Sequence, residues 1–143
     1  MRIKAMKNIL IISLIVLTSL GLSCKNTDNV TNDCEVINVQ DDLSQLTTDE
    51  FRIDTAYVQN NCLKLKVNYG GGCGNVFFKM YRNHTVFQSN PQQTTIKLTL
   101  DDKDFCKALI YKDLSFDITD ITKEIGKPVL IRIENYNHMV RVD

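Results

Sequence analysis

The sequence predicts an all-β fold: a single antiparallel β-sandwich, Ig-like in the broad sense, of about seven to eight strands. Three observations carry that expectation. From Phe51 onward, apolar residues recur at every second position. Turn-forming clusters interrupt them roughly every ten residues. No convincing helical period follows the N-terminal segment, although residues 120–126 have room for one turn. A closed barrel is the second architecture with the same rhythm.

The chain begins with Arg2, Lys4 and Lys7, then an apolar run over residues 9–17 that fades to Leu22 and meets Ser23-Cys24. A cationic start, a short apolar core and small residues before a cut site describe a secretory signal. The run falls short of the roughly 20 apolar residues a membrane span needs. Leu20-Gly21-Leu22-Ser23-Cys24 resembles a bacterial lipobox, with its leucine one place early. That resemblance implies diacylglycerol on Cys24 and insertion of the acylated terminus in a lipid bilayer. Lys25 is unlike the aspartate that retains enterobacterial lipoproteins at the inner membrane, so the expected destination is the outer membrane. The organisation expected is a signal peptide over 1–23, lipidated Cys24 with a flexible tether over 24–33, and a β-sandwich over 34–143. The tether is rich in Asn, Thr and Asp and cannot collapse by itself.

Glu35-Val36-Ile37-Asn38-Val39 predicts one short strand, and residues 41–50 predict a loop with room for a helical turn. Leu63, Leu65, Val67 and Tyr69 then alternate with Lys64, Lys66 and Asn68. Ile96, Leu98 and Leu100 alternate with Thr95, Lys97 and Thr99, and Leu114, Phe116 and Ile118 with Ser115, Asp117 and Thr119. A period of two sets one face on a core and the other in water. Further strands are expected over 51–58, 76–82, 106–111, 128–134 and 138–142. Asn60-Asn61, the glycine cluster 70–74, Asn90-Pro91, Asp101-Asp102 and Gly126-Lys127-Pro128 supply the turns.

Setting aside Arg2, Lys4 and Lys7 leaves 14 basic residues against 17 acidic, about −3. That balance argues against nucleic-acid binding through bulk charge. The 120 residues from Cys24 onward can bury one modest core, and small exported domains of this kind are commonly stapled by disulfides. Of five cysteines, Cys24 is assigned to lipid, and the other four allow three pairings. The preferred set is Cys73–Cys106, tying the glycine turn to a strand, and Cys34–Cys62, fastening the first strand. On the chain-entropy account a loop the size of the first stabilises by roughly 3–4 kcal/mol. Spacings without any Cys-x-x-Cys argue against structural zinc. A nucleophilic Cys73 would need His84 or His138 as its base.

Other constellations read more simply. Asp101, Asp102 and Asp104 offer oxygens to calcium but lack the EF-hand spacing and glycine, so a solvated acidic turn is favoured. Met80, His84 and His138-Met139 are candidate soft ligands without a His- or Met-rich cluster around them. With no tryptophan, any sugar-stacking platform falls to Tyr57, Tyr69, Tyr81, Tyr111 or Tyr136. Asp54-Thr55-Ala56 resembles a short O-glycosylation motif of exported Bacteroidota proteins, which would modify Thr55.

Tyr69-Gly70-Gly71-Gly72-Cys73, then Phe78 and Met80, then Asp104-Phe105-Cys106-Lys107-Ala108, then Leu114-Ser115-Phe116-Asp117-Ile118 are similar to a group of small Bacteroidota lipoproteins of unknown function. These carry a Tyr-x-Gly-Gly-Cys turn, a later Asp-x-Cys-x-Ala segment and a Phe-Asp-Leu-like strand. The resemblance implies the Cys73–Cys106 pairing and an envelope location, and it supplies no activity. Where the group commonly has a histidine after the turn, this chain has Asn75-Val76.

The function expected is therefore a non-enzymatic, outer-membrane-anchored binding or scaffolding lipoprotein, without cofactor or catalytic residues. Its partners would be the bilayer, through Cys24, and an envelope protein or glycan. The alternative is a metal-binding lipoprotein or metallo-enzyme using the Asp101–Asp104 loop or His138-Met139. The anchor is tested by Cys24→Ala. Membrane fractionation should move the chain into the soluble fraction, and unchanged fractionation would refute lipidation.

Overall fold

The computed structural model describes residues 33–143. The expectations for the signal peptide 1–23, for Cys24 and for the tether up to Asn32 lie outside the described residues. The described strands are β1 (Glu35–Val36), β2 (Asn38–Val39), β3 (Phe51–Gln59), β4 (Cys62–Gly71), β5 (Val76–Phe87), β6 (Gln92–Asp102), β7 (Ala108–Asp117), β8 (Val129–Ile133) and β9 (Met139–Val142). A 3-10 turn (Leu43–Gln45) and one helix, α1 (Thr119–Ile125), complete the elements.

The strands form two sheets, ordered β1-β7-β4-β3 and β2-β5-β6-β8-β9, packed as a sandwich. Pairing is mixed rather than wholly antiparallel: β1 with β7, β2 with β5 and β6 with β8 are parallel. The single short strand expected over 35–39 is two strands, because the chain crosses between sheets at the part-buried Ile37. Asp101-Asp102, expected as a turn, end β6, and the turn follows them. The strand expected to open at Cys106 begins at Ala108.

The core follows the alternation. Leu63, Val67, Met80, Ile96, Leu98 and Phe116 are wholly enclosed between the sheets, joined by Val129, Ile131 and Val142 from the C-terminal strands. Asn60 and Asn61 both take positive φ, 52° and 58°, which makes the tight β3–β4 hairpin that Asn tolerates and most residues do not. Asp117 Oδ1 accepts the Thr119 N–H at 2.8 Å as the chain enters α1. At the other end Gly126, at φ 90°, donates its N–H to the Thr122 carbonyl.

One face departs from the pattern. Lys97 and Thr99 alternate as water-facing residues, yet both are buried. Residues 43–49 lie against this part of β6. Lys97 Nζ donates to the Leu43 carbonyl at 3.0 Å and sits 3.2 Å from Glu134 Oε2. The amide of Asp49 donates to the Leu100 carbonyl, and Thr48 Oγ1 accepts from Leu100 N. A polar segment therefore covers β6 where β8 no longer pairs with it.

Phe116 has 0% exposure at the centre of the core. Phe116→Ala should destabilise by about 3–5 kcal/mol in urea unfolding.

Candidate functional site

The glycine cluster ends β4 and meets the turn between β6 and β7. Cys73 and Cys106 are joined there by a disulfide, with 5.7 Å between Cα atoms. Inside the bridged turn lies Asp104. Its Oδ2 accepts the N–H groups of Gly72 at 2.6 Å and Cys73 at 2.8 Å. Its Oδ1 accepts the Cys106 N–H at 2.9 Å. These amides favour the charged carboxylate, that of Cys106 most, followed by those of Cys73 and Gly74, and hold its pKa down to about 2.

The glycines serve this clasp in different ways. Gly72 has φ 115°, a conformation that side chains rarely adopt. A Cβ on Gly71 would come within 3.2 Å of Asp104 Oδ2, and one on Gly74 within 3.1 Å of Asp104 Cα. Gly70 is different. It lies on the outward face of β4, and a Cβ there would meet only the Lys107 Cα at 4.0 Å. Neither backbone angle nor crowding demands glycine at that position.

The missing side chain matters on the surface. Across the sheet Gly70 pairs with Leu109, and Asn68 pairs with both Tyr111 and Arg52. A groove of about 800 Å³ lies here, lined by Glu50, Arg52, Asn68, Gly70, Phe105 and Leu109 among others. Phe105 is 100% exposed, held between Asp104 and the bridged Cys106. Asn68 Nδ2 donates to Asp54 Oδ1 at 2.7 Å, fixing one polar group beside the groove. The arrangement offers an apolar rim, an amide and a guanidinium on rigid backbone, which suits recognition.

The second disulfide joins Cys34 to Cys62, with Cα atoms 6.1 Å apart. Both pairings expected from the sequence are thus present. Cys73, Asp104 and Cys106 bring potential metal-ligand atoms within 4.8 Å of one another, the one such cluster among the described residues. While the bridge is intact, the two thiolates a soft metal would need do not exist. In the acidic loop, Asp102 Oδ1 accepts the Asp104 N–H at 2.7 Å, and Asp101 pairs with Lys103 at 3.5 Å. His84 Nδ1 lies 3.3 Å from Glu124, which also takes Arg82 Nη2 at 2.6 Å. The Arg82 hydrogen bond, then that of His84, holds the Glu124 carboxyl below its ordinary range. His138 rests edge-on to Tyr136, and Met80 is a core residue. Of the five tyrosines, Tyr57 and Tyr111 are the ones left largely exposed.

Sequence reasoning missed Asp104 as the holder of the turn, and the roles of Gly70 and Phe105. The Asp-x-Cys spacing is a usable signal, because Asp side chains commonly accept the amide two residues on.

No protein-family model matches the chain, and no curated relative does either. A solved structure similar in fold is the protein of unknown function DUF1344 from Bacteroides vulgatus, at TM-score 0.51 and 10% identity. The match covers 77% of this chain and 57% of that one, so the chain spans little more than half of its length. At that identity the likeness is one of fold.

The clasp has a pH signature. A carboxyl whose folded pKa is depressed stabilises fully above its unfolded value, and that contribution is lost as pH falls through the folded value. Asp104 therefore stabilises above about pH 4 and ceases to do so near pH 2. In urea unfolding, Asp104→Asn should be less stable than the parent at pH 6, and the two should converge by about pH 2. A constant difference across that range would refute the role.

Proposed function

We propose that this chain is a non-enzymatic binding or scaffolding lipoprotein of the outer membrane, anchored through acylated Cys24, of the Bacteroidota type its motifs resemble. Its recognition site is the groove on the outer face of the four-stranded sheet, beside the Cys73–Cys106 turn. The partner is a protein or glycan of the envelope.

The observation that carries this reading is Phe105. A fully exposed phenylalanine costs solvation in water, and here it stands on a backbone locked by a disulfide and by the Asp104 carboxylate. A rigid aromatic anchor loses little entropy when a partner covers it. Gly70 supports the reading from the other side, since its absent side chain leaves the groove floor open without a structural need. Two disulfides are in keeping with an oxidising compartment.

The test is capture from solubilised membranes with the lipidated chain, set beside Phe105→Ala and Gly70→Val. Both variants should keep the parent melting temperature and lose the captured partner by tenfold or more. A partner retained equally by parent and variants would place recognition elsewhere.

A further inference from the structure

On one side β7 pairs with β4 along its whole length, from Gly71↔Ala108 to Cys62↔Asp117. On the other side β1 meets it only at Phe116 and Asp117. Among the described residues, 108–115 have no strand partner on that edge, and Asp33, Cys34 and Glu35 border a cleft with 112–115. The other long strands are better protected. β3 has a bulge between Ile53 and Thr55, with charged Arg52 and Asp54 beside it. β5 is met by β2 only at Tyr81 and Arg82, which leaves 76–80 without a strand partner on that edge, but residues 45–47 border a cleft with Phe77 and Lys79 and the register is irregular past Arg82. β6 is sealed by Thr48 and Asp49 where β8 leaves it. The free part of β7 has neither proline nor bulge, and open edges of this kind pair readily with another strand.

We infer that this edge pairs with the same edge of a second copy of the chain, antiparallel about a two-fold axis at Ile110. The argument is complementarity read residue by residue. Directly opposite residues in such a pair share a face, and their numbers here sum to a constant. Centred on Ile110, the register sets Lys107 against Asp113 of the second copy and Leu109 against its Tyr111, each twice by symmetry. Ile110 meets its own equivalent, and Ala108 meets Lys112. No like charges oppose. Centring the axis on Leu109 instead sets Lys107 against Tyr111, and centring it on Tyr111 sets Leu109 against Asp113. Only the Ile110 register matches charge with opposite charge and apolar with apolar.

Exposure agrees with that register. Leu109 is 62% exposed and Tyr111 58%, side by side on the outer face next to the free edge. The pairing covers both and joins the two four-stranded sheets into one of eight. Lys107 and Leu109 border the recognition groove as well as the free edge, but Phe105 and Gly70 lie outside the charge pair, so variants at Phe105 and at Asp113 test the two readings separately. An interface of one strand per copy is small, in the class of weak and reversible association.

The test is sedimentation velocity of the exported chain, disulfides intact and Cys24 replaced by alanine so that no acyl chain contributes. A dimer should form in the micromolar range. Asp113→Lys should weaken it by roughly tenfold or more, since two attractive pairs become repulsive. Lys107→Asp combined with Asp113→Lys should restore it, a rescue that a merely structural defect would not show. Three results would overturn the inference. One is a monomer at all concentrations whose edge amides exchange freely. Another is a monomer whose edge amides are protected, which would mean the chain's own N-terminal segment covers the edge. The third is a dimer indifferent to the charge at 113.

Discussion

One carboxylate bears on the whole upper end of this sandwich. Three N–H groups on two different chain segments converge on Asp104 within 2.9 Å. Without an acceptor at that point, a run of glycines would hold many conformations and lose more entropy on folding than any other residue type. The carboxylate makes one of them favourable, and the disulfide beside it makes the arrangement covalent. Because Asp104 lies in the stretch between β6 and β7, while the glycines end β4, the clasp holds that crossover against the end of β4 as well as shaping a turn.

The same economy appears elsewhere. A small core cannot cover every strand, and the chain uses polar segments where apolar ones run out. Lys97 is buried with its ammonium held by the Leu43 carbonyl and by Glu134. That geometry meets the requirement that a buried charge be paired and hydrogen-bonded. Cys34–Cys62 performs the corresponding task for β1, whose two residues could not hold their place by backbone pairing alone. The result is a sandwich whose β7 has an open edge over much of its length, next to a face that carries exposed Leu109 and Tyr111.

Much of this was legible in the residues. Strict alternation in 63–69 and 114–118 located two central strands, since a period of two has one physical reading. Asn60-Asn61 marked a hairpin because Asn tolerates positive φ. Both disulfide pairings preferred among the three open to four cysteines are present, and the resemblance had implied Cys73–Cys106. Lys97 and Thr99 were read as solvent-facing because local alternation carries no information about a remote segment lying over them. The parallel pairings of β1, β2 and β8 were likewise out of reach, because strand direction depends on which neighbour a strand finds.

The amino-acid order alone determined the class of fold and the main strands, because periodicity and turn chemistry are local properties; it left three pairings open to four cysteines, and the folded chain chose among them. Only the folded chain decided that Asp104 faces three amides, that Gly70 floors a groove, and that Phe105 stands in water beside it. Those facts depend on distances between segments some thirty residues apart, and such distances exist only once the sheets have packed.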